Sequence, residues 1–216
     1  AATGDAGFGE GGGPTDAQRW IFGCPDRTDY VDSQGCAWRP ATEAVIRVGE
    51  LTDPVEACWY TTPRRLAVVG TKDPVLYRHG MHGKDFTAYV TVGPGTYHVR
   101  LKLMESRCVD PAQRLLDIDI NGQPAVRNLD VAATAAERPA SVAFMANDRK
   151  IWDGLNRAVD LVFNDVQPSH GVIAVRFRGV NDAEAVVSAM EVAPGPGGPG
   201  VIPISAAAPS TKQVSD

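Results

Sequence analysis

No window of the 216-residue chain approaches 18 consecutive apolar residues, so nothing in it reads as a membrane-spanning helix. Positive charge is in short supply too: 21 Lys and Arg stand against 26 Asp and Glu, a formal charge of −5. That is the wrong field for a polyanion, and nucleic acid is not an expected partner. There is no Gly-x-Ser-x-Gly elbow, no P-loop and no Gly-x-Gly-x-x-Gly following a strand, so the usual hydrolase, phosphate-cradling and dinucleotide signatures are missing. The four cysteines, Cys24, Cys36, Cys58 and Cys108, contain no Cys-x-x-Cys pair, which argues against a zinc ribbon or a thioredoxin-type centre. A long apolar stripe at helical period is also lacking, and with it the case for a helical bundle.

What the chain does have is punctuation. Its 22 Gly and 16 Pro far exceed the usual combined share of about 12% and call for many turns. Between the turns, period-2 alternation dominates. Tyr97, Val99, Leu101 and Leu103 alternate with His98, Arg100, Lys102 and Met104, which gives a strand one core face and one outer face. Leu116, Ile118 and Ile120 alternate with Asp117, Asp119 and Asn121, and Asn121-Gly122 supplies the positive-φ pair of a type I′ hairpin. Further strand-like runs are 44–48, 66–69, 86–92, 142–145, 159–163, 172–177 and 186–192, with one or two helical turns over 131–138. Eight or more short strands so separated predict an all-β fold, an antiparallel β-sandwich or jelly roll. The Gly-rich residues 1–19 read as an arm, 20–192 as the domain, and 193–216 as a Pro/Gly/Ala-rich tail.

Three constellations invite a chemical reading. Asp117 and Asp119 project from one strand face about 7 Å apart, within the glycosidase range, yet equivalent strand positions do not give the two environments acid/base catalysis needs. His79 and His82 offer metal ligands, but Gly80 and Gly83 argue against a helix holding both on one face. No activated nucleophile or acid/base pair assembles, so a non-enzyme is expected. Trp38, Trp59, Tyr60 and Tyr77 fall among Pro, Arg and Thr in loop-like stretches, where an aromatic face can stack on the C–H patches of a sugar ring.

Five motifs, in order, resemble the malectin-like carbohydrate-binding modules. They are Ile21-Phe22-Gly23-Cys24 with Tyr30-Val31-Asp32-Ser33-Gln34-Gly35-Cys36-Ala37-Trp38; Asp73-Pro74-Val75-Leu76-Tyr77 with Phe86-Thr87-Ala88-Tyr89; Gly95 to Glu105; Arg114 to Gly122; and Val187-Ser188-Ala189-Met190-Glu191-Val192. The resemblance covers about residues 20–192 and implies a galactose-binding-like jelly roll that holds carbohydrate at one loop-rich end. Carried over, it implies Trp38, Tyr77 and Asp182 as binding residues, sharing one cleft. Arg107 joins them, in the Ser106-Arg107-Cys108 stretch where malectin itself carries an aromatic pair; without that pair, malectin's diglucose specificity does not carry over. The resemblance also puts Cys36 and Cys108 in loops at one end, which implies a Cys36–Cys108 disulfide and leaves Cys24 for Cys58.

The expectation is therefore a non-catalytic carbohydrate-binding module within a larger protein or assembly. The alternative is a structural or interaction subunit of the same fold that meets a protein partner or neighbouring subunit through its arms, with 201–204 as apolar anchor. Ala1-Ala2-Thr3-Gly4-Asp5 has the small, polar look of a mature end and, with the even cysteine count, points to a secreted or periplasmic location. Residue patterning implies no cofactor and leaves calcium open.

Overall fold

Strand pairing in the computed structural model, which describes residues 16–41, 57–108, 112–136, 143–146, 149–152 and 154–206, follows the period-2 runs closely. One sheet has six strands in the order β12 (Val159–Val166), β7 (Tyr97–Leu103), β15 (Ala189–Pro194), β1 (Gln18–Phe22), β3 (Ala37–Ala41) and β2 (Tyr30–Val31). A second orders β6 (Asp85–Thr91), β13 (Val172–Gly179), β8 (Leu116–Ile120) and β9 (Gln123–Leu129). A three-stranded sheet of β14 (Ala185–Val187), β5 (His79–Gly83) and β4 (Ala57–Thr61), and the hairpin of β10 (Ala143–Ala146) and β11 (Arg149–Trp152), complete the described strands. Pairing is antiparallel throughout except between β1 and β3, which run parallel. The sandwich expectation holds.

Alternation explains the core. On β7, Tyr97, Val99, Leu101 and Leu103 are buried in the main cluster with Phe86, Phe177, Ile118, Val175, Leu161 and Met190. Each fully buried aliphatic side chain of this kind contributes about 1.5–3 kcal/mol. Phe86 and Phe177 sit opposite each other in the β6–β13 register and stack at 5.1 Å. The β8–β9 turn is built as its sequence demands, with Asn121 at φ 50° and Gly122 at φ 75°.

Other runs resolve differently. Residues 186–192 do not form one strand: fully buried Ser188 interrupts them, donating its N–H to Lys102 O and accepting Phe22 N–H, so β14 and β15 enter different sheets. Residues 66–69 make only an isolated bridge, Val69 to Arg157. The helical turns expected at 131–138 appear as α2 (Val131–Ala135), capped by the Asp130 side chain accepting Ala133 N–H. The run at 44–48 lies outside the described residues. Strand β1 begins at Gln18, within the expected arm, and pairs Gln18 with Val192 and Ile21 with Ala189.

A second, smaller core lies on the outer face of the six-stranded sheet, where Ile21, Cys24, Trp38, Leu76, Tyr77, Met104 and Ala189 cluster. The short helix α1 (Val75–Arg78) supplies Leu76 and Tyr77 to it, and Leu66, Val68 and Val75 pack against its rim. The C-terminal segment returns to the body rather than leaving it. Val201 N–H bonds Asp160 O, Ile204 N–H bonds Thr134 Oγ1, Asp130 N–H bonds Ile204 O, and Ser205 bridges Leu129. It thereby covers β12 and β9, each the outermost strand of its sheet, and ties one sheet to the other.

Candidate functional site

Beside the second core, the outer face of the six-stranded sheet turns charged. His98, Arg100 and Lys102 project from β7, Asp160 from β12, Glu191 from β15 and Arg19 from β1. These are the alternate positions of strands whose other face fills the main core, so burying one set lifts the other outward. Together with Trp38, Pro196, Gly197 and the Asp32–Cys36 turn they surround a cleft of about 270 Å³. A smaller cavity at the loop end, about 10 Å³ between Tyr60, His82, Glu105, Arg107 and Arg114, has room for about one water.

Two carboxylates organise the cleft. Glu191 accepts from Arg19, from His98 Nε2 at 3.0 Å and from Arg100 Nε at 3.2 Å. Burial alone pushes its carboxyl up, but the hydrogen bonds from His98 and Arg19, with the Arg19 charge, outweigh that and hold it below the ordinary value. Asp160 accepts from Lys102 Nζ at 2.8 Å, from Arg100 Nη1 at 3.3 Å and from the Tyr77 hydroxyl. Burial and then the Asp160 charge push the Tyr77 phenol far above its usual range, so it stays a neutral donor. Lys102 Nζ also lies 5.4 Å from the Trp38 ring centroid and 5.3 Å from that of Tyr77, joining the charged floor to the second core.

One wall is the C-terminal strap. His98 Nδ1 meets Gly195 O at 2.9 Å, Arg100 Nη2 donates to Gly197 O at 2.6 Å, and Gly197 N–H donates to Asn164 Oδ1 at 2.7 Å. The approach is close enough that a Cβ on Gly197 would stand 2.4 Å from His98 Cδ2. The opposite wall is the β2–β3 turn, where Asp32 accepts Gln34 N–H, Cys36 N–H and Trp38 Nε1–H within 2.9 Å. That turn is clasped to the approach to α1 by Asp73, which accepts from the Tyr30 hydroxyl, Ser33 N–H and Ser33 Oγ. The Ser33 and Tyr30 bonds overcome partial burial and lower the Asp73 carboxyl, while burial and then Asp73 push Tyr30 up to about 12.

The residues expected to bind sugar therefore separate. Trp38 and Tyr77 do come together, but at 2% and 3% exposure they form the second core, with Nε1 and hydroxyl committed to Asp32 and Asp160. Neither offers a face for stacking; Trp38 reaches only the edge of the cleft. Their loop-like neighbours were a misleading sign, because residues 62–75 fold over the rings. Asp182 does not join them: it lies in the β13–β14 loop, its side chain 95% exposed beside Lys84. Arg107 is exposed at the loop-end cavity, where buried Glu105 accepts the N–H groups of Ser106, Arg107 and Cys108 and pairs with Arg114 at 2.9 Å.

Cys24, Cys36 and Cys108 are free thiols, against the expected Cys36–Cys108 bridge. Cys36 packs on the second core with Cys24, whereas Cys108 Sγ accepts from Arg114 Nε at 3.4 Å, so the two occupy different surroundings. The Cys58 side chain lies outside the described residues. Asp117 is held by Arg178 and Arg127, and Asp119 by Arg127, which marks that acidic pair as part of a sheet-surface ion network. His79 and His82 bond instead to Thr61 and Glu184.

The described residues form a β-sandwich with a polar cleft on the outer face of its six-stranded sheet. The chain belongs to the malectin domain family, whose model matches residues 26–190. No curated protein sequence matches the chain. Among solved structures, the plant receptor-like kinase FER, in its complex with the peptide RALF23 and LLG2, matches at 17% identity and TM-score 0.57, over 81% of this chain and 47% of that one. The ANXUR1 extracellular domain from Arabidopsis thaliana matches at 15% and 0.56, over 81% and 47%. A Bacteroides uniformis β-glucuronidase matches at 13% and 0.54, over 82% and 18%. At these identities the likeness is one of fold, and this chain spans less than half the length of each. Among the described residues, no helix is long and apolar enough to cross a membrane.

Proposed function

We infer that this malectin-family domain is a non-catalytic carbohydrate-binding module acting outside the cytoplasm as part of a larger protein or assembly, and that the sheet-face cleft is where sugar sits. The observation that carries the reading is the cleft's lining, in which carboxylates and basic groups alternate across four adjacent strands. A sugar hydroxyl both donates and accepts, so a surface of neighbouring acceptors and donors suits it. In this reading Trp38 and Tyr77 serve as braces beneath the sugar rather than stacking platforms. Arg107 and Asp182, exposed at other loops, are not among the residues that line the cleft. The malectin family and the span of similar modules within longer chains support the assignment. A glycan array followed by calorimetry tests it: binding by the intact protein and its loss in Arg100→Ala are expected, and silence against all glycans overturns it.

The interaction-subunit alternative has one observation in its favour. Val201 and Ile204 are pinned by their backbone, yet they and Ile202 between them turn outward, Ile202 at 84% exposure, as an apolar partner would require.

A further inference from the structure

Resting on the carbohydrate reading above, we propose that the cleft takes one terminal, uncharged pyranose end-on rather than the middle of a polysaccharide chain. The first ground is shape. The floor runs across β12, β7, β15 and β1, and walls rise at both margins: the strap at Pro196–Gly197 beside β12 and β7, and the Asp32–Cys36 turn beyond β3. On a third side, towards the second core, Lys102 and Trp38 line the cleft together, with Lys102 Nζ held over the Trp38 ring. A linear glycan lying along the sheet would need two open ends, and this pit has walls on three sides. Its volume of about 270 Å³ falls just under the range of about 300–1,000 Å³ usual for small-molecule sites, which is room for one ring.

The second ground is charge. Arg19, Arg100 and Lys102 face Asp32, Asp160 and Glu191, so three cations meet three carboxylates, and the lining stays within one charge of neutral whichever state His98 takes. Both carboxylates of the floor already hold three donors each. Arg19, Arg100 and Lys102 each already pair with Glu191 or Asp160, so a uronate would have to share a paired cation and an amino sugar a paired carboxylate. A neutral vicinal diol disturbs neither balance: one hydroxyl donates to Asp160 while its neighbour accepts from Arg100, whose guanidinium lies 3.3 Å from that carboxylate.

The test is calorimetry on the intact protein with methyl glycosides of glucose, galactose, mannose and xylose, the matching oligosaccharides of two to six units, and glucuronate, galacturonate and glucosamine. One methyl glycoside is expected to bind, its oligomers to stay within about twofold of it, and the charged sugars to be at least about tenfold weaker. The exposed rim variant Gln34→Trp, which leaves the ion pairs intact, should weaken the glycoside about tenfold with an unchanged thermal transition. Affinity climbing more than about tenfold with chain length, or preference for a charged sugar, overturns this proposal and leaves the carbohydrate reading standing. No binding of any saccharide overturns both.

Discussion

Replacing Trp38 by Phe separates a brace from a binding platform. The indole is 2% exposed, packs with Ile21, Leu76, Tyr77 and Met104, and donates Nε1–H to Asp32 Oδ2 at 2.8 Å. Phe keeps a ring in place but removes that bond, worth about 1.5 kcal/mol with a half-exposed carboxylate, and leaves a void worth about 1–1.5 kcal/mol more. The expected loss is about 3 kcal/mol for Phe and about 5 kcal/mol for Ala, where most of the ring's packing also goes. At about 2–4 °C per kcal/mol for a domain of this size, Trp38→Phe lowers Tm by about 6–12 °C. At a urea m-value of about 2 kcal/mol/M, it moves the midpoint by about 1.5 M. Paired urea titrations by circular dichroism and fluorescence measure this. A Trp38→Phe protein melting within about 1 °C of wild type refutes the claim that the indole supports the fold.

Other perturbations follow from the same contacts. Because the Glu191 carboxyl is held below its ordinary 4.5, its contribution is present above about pH 4.5 and is lost as pH falls through the lower folded-state value; Glu191→Gln should flatten that acid limb in stability–pH curves. Arg114→Ala strands buried Glu105 without its cation and should cost about 3–5 kcal/mol by chemical denaturation, while Arg107→Ala, exposed nearby, should cost less than about 0.5 kcal/mol. Gly122→Ala forces a side chain into φ 75° at the hairpin turn and should lower Tm by about 2–4 °C in a thermal scan. Ending the chain at Pro194 removes the bonds that His98, Arg100, Asn164 and Thr134 make to the strap, and faster amide exchange in β12 and β9 is the expected result.

Period-2 alternation was a reliable guide wherever a strand has one buried face, as in β7, β8 and β13, because burial and side-chain direction share that period. It failed on the short strands of the three-stranded sheet. His79–Gly83 and Ala57–Thr61 carry no alternating apolar set, and their strand character comes from pairing with each other and with β14. The motifs of the malectin resemblance fall on residues that the fold uses as braces. Tyr30, Ser33 and Asp73 clasp two loops, Trp38 and Tyr77 fill a core, and Glu105 caps three backbone N–H groups. A motif records that a residue must be kept, and a fold keeps structural braces for the same reason it keeps ligand contacts. The cleft was visible only in part: His98, Arg100 and Lys102 read as one outward face, but nothing local placed Arg19, Asp160 and Glu191 beside them. Those meetings bring together residues 58 to 172 positions apart.

The position of β15 sets the order in which the domain can be made. It lies between β7 and β1 in the six-stranded sheet, yet among the described strands it comes last in chain order. Until residue 194 has emerged, that sheet can exist only as two fragments, β12–β7 and β1–β3–β2, each with an open hydrogen-bonding edge at the place β15 will fill. Contacts that span most of the chain form slowly, and unpaired edges invite pairing with other chains. The interval between the synthesis of β7 and that of β15 is thus when the nascent chain most needs a chaperone, and a product truncated before Ala189 carries both edges permanently.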